Sequence, residues 1–265
     1  MATSYQQSGR FCFVWDSASD VGRVRENNED ALIEAPGIGL LGVCDGLGGH
    51  AAGEVASALA SATIVELLKE TTASPREALL QGITSANDKI LQEQVADPKL
   101  RGMGTTLSAV WIVPRDSEAI WIAHIGDSRV YLLRDGKLKQ VTEDHSPVFR
   151  LHKQGFLTKD QILEHPQKNL LDRSLGIMVS TDPDVFQLDL QSEDIVLVCT
   201  DGLTDTMRDR EIEEILTTTP VEELGQRLVA SANAKGGYDN ITLAFFQIVE
   251  VKPGSPREDL AVTNT

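Results

Sequence analysis

Four apolar runs between residues 106 and 141 follow one another through connections too short for a parallel crossover. They read as strands over 106–113, 119–125, 129–133 and 138–141, with Asp135-Gly136 as the hairpin turn between the last two. Parallel neighbours need a crossover of about a dozen residues or more, so these strands pair antiparallel. Further strands are expected over 11–15, 31–33, 40–44, 185–190, 195–199 and 241–249, with 40–44 apolar enough to be buried on both faces. A helix over 53–70 carries Val55, Leu59, Ala62 and Leu67 as its apolar positions. Ser74-Pro75-Arg76-Glu77 has the form of a capping box and opens a helix with Leu79, Ile83, Ala86 and Ile90 on one face. Two more helices are expected over 209–216 and 221–234. Runs of strands separated by helix pairs define an α+β fold, antiparallel sheets covered by helices.

No repeat or linker divides the chain, so residues 11–250 are expected to form one domain, with flexible tails at 1–10 and 252–265. Residues 146–175 break the strand pattern; Thr158 and Gln161 offer another capping box there, and the segment reads as an excursion from the sheet. With 41% hydrophobic residues, the 265-residue chain can bury a substantial core. Its charge of −16, from 40 acidic and 24 basic residues, opposes binding to nucleic acid or an anionic membrane. A phosphorylated substrate stays admissible if bound cations reverse the sign locally. No apolar run approaches the ~20 residues that span a bilayer, and residues 1–10 lack a signal-peptide core. A soluble cytoplasmic protein is expected. Cys12, Cys44 and Cys199 all lie in apolar runs and read as buried thiols in a reducing compartment.

Four segments end an apolar run in an aspartate beside glycine, serine or asparagine: Asp45-Gly46, Gly126-Asp127-Ser128, Asp201-Gly202 and Asp239-Asn240. Carboxylates gathered at one site repel one another unless a cation neutralises them. An all-carboxylate set, without a cysteine–histidine pair at ligand spacing, favours Mg²⁺ or Mn²⁺. That points to two-metal chemistry on a phosphorylated substrate. Arg25-Glu26-Asn27-Asn28-Glu29-Asp30 adds a guanidinium able to grip a phosphate through two parallel hydrogen bonds, beside two adjacent acids. His50 follows the glycine loop Gly46-Leu47-Gly48-Gly49 and could protonate a leaving alkoxide. His124, His145, His152 and His165 have no comparable setting and read as structural.

Two superficial matches fail. Gly46-x-Gly48-x-x-Ala51 fits a dinucleotide fingerprint, but Asp45 would set a negative charge against the pyrophosphate, and the next helix leads into another helix. Asp201-Gly202-Leu203-Thr204-Asp205 is no calcium loop, since Leu203 and Thr206 occupy the third and sixth positions.

Taken in order, Arg25-x-x-Asn28-Glu29-Asp30, Asp45-Gly46-Leu47-Gly48-Gly49-His50, Gly104-Thr105-Thr106, Gly126-Asp127-Ser128-Arg129, Asp144-His145-Ser146, Thr200-Asp201-Gly202-Leu203 and Asp239-Asn240-Ile241-Thr242 resemble the metal-dependent protein phosphatases, the type 2C serine/threonine family, in its bacterial branch. The resemblance extends over roughly residues 11–250. It implies a β-sandwich of two antiparallel sheets flanked by pairs of antiparallel helices, with residues 146–175 as a flap shaping substrate preference. It implies two Mg²⁺ or Mn²⁺ ions, with Asp45 bridging both, the Gly46 carbonyl joining the second, and Asp201 and Asp239 completing the first. Glu29 and Asp30 would act mainly through water, Asp127 with Asp205 would hold a third, weaker ion, and Arg25 would clamp the phosphate. Catalysis would rest on Asp45, Asp201 and Asp239, by in-line attack of a hydroxide bridging the two metals. His50 would be the general acid or stand behind the ligands. The implied partners are phosphorylated proteins, met as a monomer. The alternatives are a catalytically silent phosphoprotein-binding scaffold and a regulator dedicated to one phosphorylated partner.

Overall fold

The computed structural model describes residues 4–8, 11–48, 52–113, 119–177, 179 and 181–250. The chain begins with strands β1 (Ser4–Ser8), β2 (Phe11–Asp20), β3 (Ala31–Ala35), β4 (Leu40–Cys44) and β5 (Gly46–Leu47), then helices α1 (Gly53–Glu70) and α2 (Pro75–Ala96). Strands β6 (Gly104–Thr105), β7 (Leu107–Trp111), β8 (Ala119–Ile125), β9 (Arg129–Arg134) and β10 (Lys137–Gln140) follow, then short helices α3 (Pro147–Lys153) and α4 (Lys159–Leu163). The last part holds β11 (Asp184–Asp189), β12 (Ile195–Cys199), α5 (Asp201–Thr204), α6 (Asp209–Thr218), α7 (Leu224–Ala234) and β13 (Ile241–Glu250).

The strands form a six-stranded sheet, β1-β2-β13-β12-β9-β10, a five-stranded sheet, β11-β8-β7-β4-β3, and the small pair β5-β6. Every pairing is antiparallel, as the short connections require. Asp135 and Gly136 both take positive φ, 51° and 71°, the geometry that matches a two-residue turn to strand twist.

Side-chain alternation makes four layers from these two sheets. Along β12, Val196 and Val198 enter a core between the sheets with Phe13, Val43, Ile122 and Phe246. Ile195, Leu197 and Cys199 point the other way, into a core with Ile212, Leu224 and Leu228 of α6 and α7. On the far side, Leu40 and Cys44 of β4 join Ala60, Ile64, Leu79 and Ile83 of α1 and α2. A strand apolar at every position is what a sheet covered on both faces demands. The sandwich flanked by helix pairs is therefore the observed fold.

Several elements depart from the sequence reading. The segment 1–10, expected as a tail, contributes β1, hydrogen-bonded to β2 from Ser4↔Trp15 to Ser8↔Phe11. Strand β2 runs on to Asp20, through polar Ser17 and Ser19, because β13 pairs with it along its whole length. Thr106 is excluded from the strand expected at 106–113, because its hydroxyl and amide turn to the loop at Asp45. Helix α1 buries Ala56, Ser57, Ala60 and Ile64, while Ala62 is exposed and Val55, Leu59 and Leu67 are only half-buried. Small side chains let this helix lie close to the sheet, which a search for large apolar residues overlooks. By contrast, Leu79, Ile83, Ala86 and Ile90 of α2 are all fully buried, and the Ser74–Glu77 capping box is present. Helix 221–234 starts as a 3₁₀ turn at Val221–Glu223.

Residues 146–175 leave the sheet as expected. Val148, Phe149 and Ile162 bury one another with Leu157 packed alongside, a small core of their own, and the Thr158–Gln161 capping box forms. The expected tail at 252–265 lies outside the described residues.

Candidate active site

Strand register brings the four aspartates to one end of the sandwich. Cys199 of β12 pairs with Leu243 on one side and Arg129 on the other, so Asp201, Asp239 and Asp127 all emerge at the same edge. In the facing sheet Cys44 pairs with Ala31, which sets Asp30 beside Asp45. Asp20 pairs with Ile241, delivering the loop that carries Arg25 and Glu29.

Asp45 is held through its backbone. Its N–H donates to Thr106 Oγ1 at 3.0 Å, and its carbonyl accepts from Thr106 N–H at 2.9 Å and Thr105 Oγ1 at 2.7 Å. Thr106 Oγ1 and Ser128 Oγ lie 2.7 Å apart, linking this turn to the one that carries Asp127. Position 46 admits only glycine: a Cβ there would lie 2.4 Å from the Glu29 carbonyl oxygen and 2.5 Å from that of Gly53. Asn240 knots the neighbouring loops, accepting from Glu29 N–H at 2.8 Å and donating to the Val21 and Asn27 carbonyls at 2.9 Å. Asp30 accepts from Thr200 Oγ1 at 2.9 Å.

The acids Glu29, Asp30, Asp45, Asp127, Asp201, Asp205 and Asp239 are all half-buried. Desolvation is the first cause that pushes Asp30 and Asp201 up to about 7, and neighbouring carboxylates add to it. Asp45 and Asp127 are raised well above the ordinary carboxyl value, by burial and then by Asp201. Asp45 and Asp201 lie close enough for each carboxylate to make the other's charge costly. Glu29 is raised by burial, an effect that Arg25 opposes.

Two cations of the chain already answer part of this charge. Arg25 Nη2 donates to Asp239 Oδ2 at 2.7 Å. Lys168, beyond α4, donates to Asp205 Oδ2, beside Asp127 and Asp201. Among the described residues no three His, Cys, Asp or Glu side chains form a ready-made metal-binding group. The donor set itself fits hard divalent cations: all-oxygen, close enough to raise one another's pKa, and short of positive charge.

Of the residues singled out from sequence, Arg25, Glu29, Asp30, Asp45, Gly46, Asp127, Asp201, Asp205 and Asp239 share this edge, while His50 lies outside the described residues. Sequence reasoning named no part in the site for Lys168, Arg129 or His145. Lys168 carried no signal beyond its place in the polar segment. Arg129 grips Asp144 through Nε at 2.9 Å and Nη2 at 2.7 Å. His145 is buried, takes a hydrogen bond from Gly126 N–H on Nδ1 at 3.2 Å, and sets Nε2 3.2 Å from Asp184. It is structural, as expected, and what it supports is the turn carrying Asp127.

The family profile described as Protein phosphatase 2C matches residues 23–243. The chain is 39% identical over 234 residues to a serine/threonine phosphatase, stp, of Listeria monocytogenes, covering 85% of this chain and 92% of that protein. It is 39% identical over 245 residues to the serine/threonine protein phosphatase PstP of Mycobacterium tuberculosis, covering 92% of this chain but 46% of the longer relative. A crystal structure of the catalytic domain of PstP in complex with two manganese ions superposes with a TM-score of 0.82 at 35% identity, covering 91% of this chain and 100% of that one. The chain belongs to the protein phosphatase 2C family. No helix among the described residues is long and apolar enough to cross a membrane.

Proposed function

We propose that this chain is a Mg²⁺- or Mn²⁺-dependent protein serine/threonine phosphatase acting on phosphorylated proteins. The reading is supported above all by Asp45, Asp127, Asp201 and Asp239, which leave different strand ends and meet at one edge, where burial and neighbouring carboxylates raise Asp45, Asp127 and Asp201. Membership of the family and a relative solved with two manganese ions support it independently.

In this reading Asp45, the Gly46 carbonyl, Asp201 and Asp239 would hold the cation pair, with Glu29 and Asp30 acting through water. Asp127 and Asp205 would hold a third, weaker ion. When bound, such cations act as Lewis acids on phosphoryl oxygens and lower the pKa of water at the site. The chain's own part is positioning. Thr105 and Thr106 fix Asp45, Thr200 fixes Asp30, and both are anchored through buried hydroxyls. Arg25 is half-exposed on the rim and orients the phosphate, exchanging its bond to Asp239 for phosphoryl oxygens. His50 is assigned from sequence as the proton donor to the leaving alkoxide. The segment 146–175 borders the cleft through Lys168 and shapes substrate preference.

A silent scaffold is not favoured, since none of the four aspartates is replaced. The reading takes a monomer as the working unit and the cytoplasm as its location, the latter supported by three free, buried cysteines. Phosphate release from a phosphothreonine peptide, with and without Mn²⁺, tests it. Asp201→Asn abolishes release while the far-UV circular dichroism spectrum persists; near-wild-type turnover by that variant refutes the assignment.

A further inference from the structure

Two loops meet at the rim of the carboxylate cleft, and each carries a bulky apolar side chain into solvent beside the Arg25–Asp239 pair. Arg23 N–H donates to the Gly237 carbonyl at 2.7 Å, and Arg25 Nη2 donates to Asp239 Oδ2 at 2.7 Å. A Cβ on Gly22 would lie 2.8 Å from the Gly237 carbonyl oxygen and 2.3 Å from that of Asp239. Segments 22–25 and 237–239 are therefore clamped in register. Between the two fastenings sit Val24 and Tyr238, which are 61% and 67% exposed.

Lone exposed apolar side chains are common and need no explanation. These two differ in being held in place. A Cβ on Gly236 would lie 2.4 Å from Tyr238 Cζ, so the ring rests against the Gly236 backbone while most of the residue stays in water. Gly236 has φ +127°, a conformation that glycine accepts and other residues resist. An aromatic platform fixed before binding loses little entropy when a partner covers it.

We propose that Val24 and Tyr238 form a substrate subsite for the residue next to the phosphorylated serine or threonine, selecting an aromatic or branched aliphatic side chain there. This rests on the phosphatase reading, in which Arg25 holds the phosphate on the same ledge. Consecutive Cα atoms lie about 3.8 Å apart, so a side chain one residue from the phosphate falls within reach of that ledge. Exposed Arg23 and Glu26 flank Val24 with opposite signs, so local charge selects neither an acid nor a base and the selection rests on the exposed apolar surface of Val24 and Tyr238.

The test uses two phosphothreonine peptides, identical except for Phe or Gly on both sides of the phosphothreonine, assayed with Mn²⁺. The full chain is expected to favour the Phe peptide in kcat/KM by roughly five- to tenfold, the scale of covering one ring face. Tyr238→Ser and Val24→Ser should each bring that ratio to within about twofold of unity. Val95→Ser, at an 85% exposed position on α2, should keep the ratio and serves as the control. Equal rates on the two peptides, or an unchanged ratio in both subsite variants, overturn the subsite alone. No phosphate release from either peptide or from a generic aryl phosphate overturns the phosphatase reading, and the subsite with it.

Discussion

Removing one acid from the cluster should stabilise the metal-free protein while destroying its activity. In Asp201→Asn the side chain keeps its shape and loses the charge that burial, Asp205 and Asp239 make costly. Its carboxyl rises from 3.8 to about 7 in the folded chain. Three pKa units correspond to about 4 kcal/mol. Asp201 is half-buried and its neighbours share protons with it, so about half of that, ~2 kcal/mol, is the expected gain. The sign follows from linkage. The folded pKa lies above the unfolded one, so the wild-type protein without metal loses this stability as pH rises from about 4 to about 7. The loss is complete above that window and absent below it. Thermal unfolding in EDTA at pH 8 should place Asp201→Asn roughly 5 °C above wild type, and the gap should close towards pH 4. Saturating Mn²⁺ at pH 8 should reverse the order, because only the wild type keeps the full set of ligands. A variant no more stable than wild type in EDTA at pH 8, or a gap that does not close in acid, refutes the electrostatic argument.

Three other expectations follow from the same geometry. His124 is fully buried between Ser108 and the Glu143 carbonyl, and burial, helped by His145, lowers it to about 4. Its folded pKa lies below the unfolded value, so stability falls as pH drops from 6.5 towards 4, by about 3 kcal/mol at the limit; His124→Gln should flatten that part of the acid limb in urea titrations. Gly46→Ala should cut metal-dependent turnover by roughly a hundredfold or more, since the clash is with two backbone carbonyls that cannot rotate away. A Mn²⁺ titration with wild-type activity in that variant counts against the close packing. Arg25→Lys keeps the charge but loses the two-pronged grip, and should lower kcat/KM on a phosphopeptide by roughly tenfold. Unchanged kinetics would remove Arg25 from the phosphate site.

The sequence carried the fold where one element sufficed to state it. Short connections made the strands antiparallel, the unbroken apolar run at 40–44 called for a sheet covered on both sides, and Ser74-Pro75-Arg76-Glu77 marked the start of α2. It failed where a partner decides. Ser17 and Ser19 are strand residues only because β13 lies alongside, and the alanine face of α1 is a core face only because the sheet comes close. Of the site, Asp45, Asp127 and Asp201 were legible because each follows an apolar strand, whereas Asp239, expected at the end of such a run, instead follows α7 and leads into β13. Lys168 was not, because an ammonium far along the chain from Asp205 has no local signature.

What the sequence determined by itself is therefore chemical: which side chains are acids, where the turns fall, and that so many carboxylates need positive charge. Tertiary structure alone decided which acids meet, which are already answered by Arg25 or Lys168, and which neighbours stand on the rim. The reason is that residue type and spacing are local, whereas desolvation and Coulomb energy depend on distances set by strand register between segments remote in the chain.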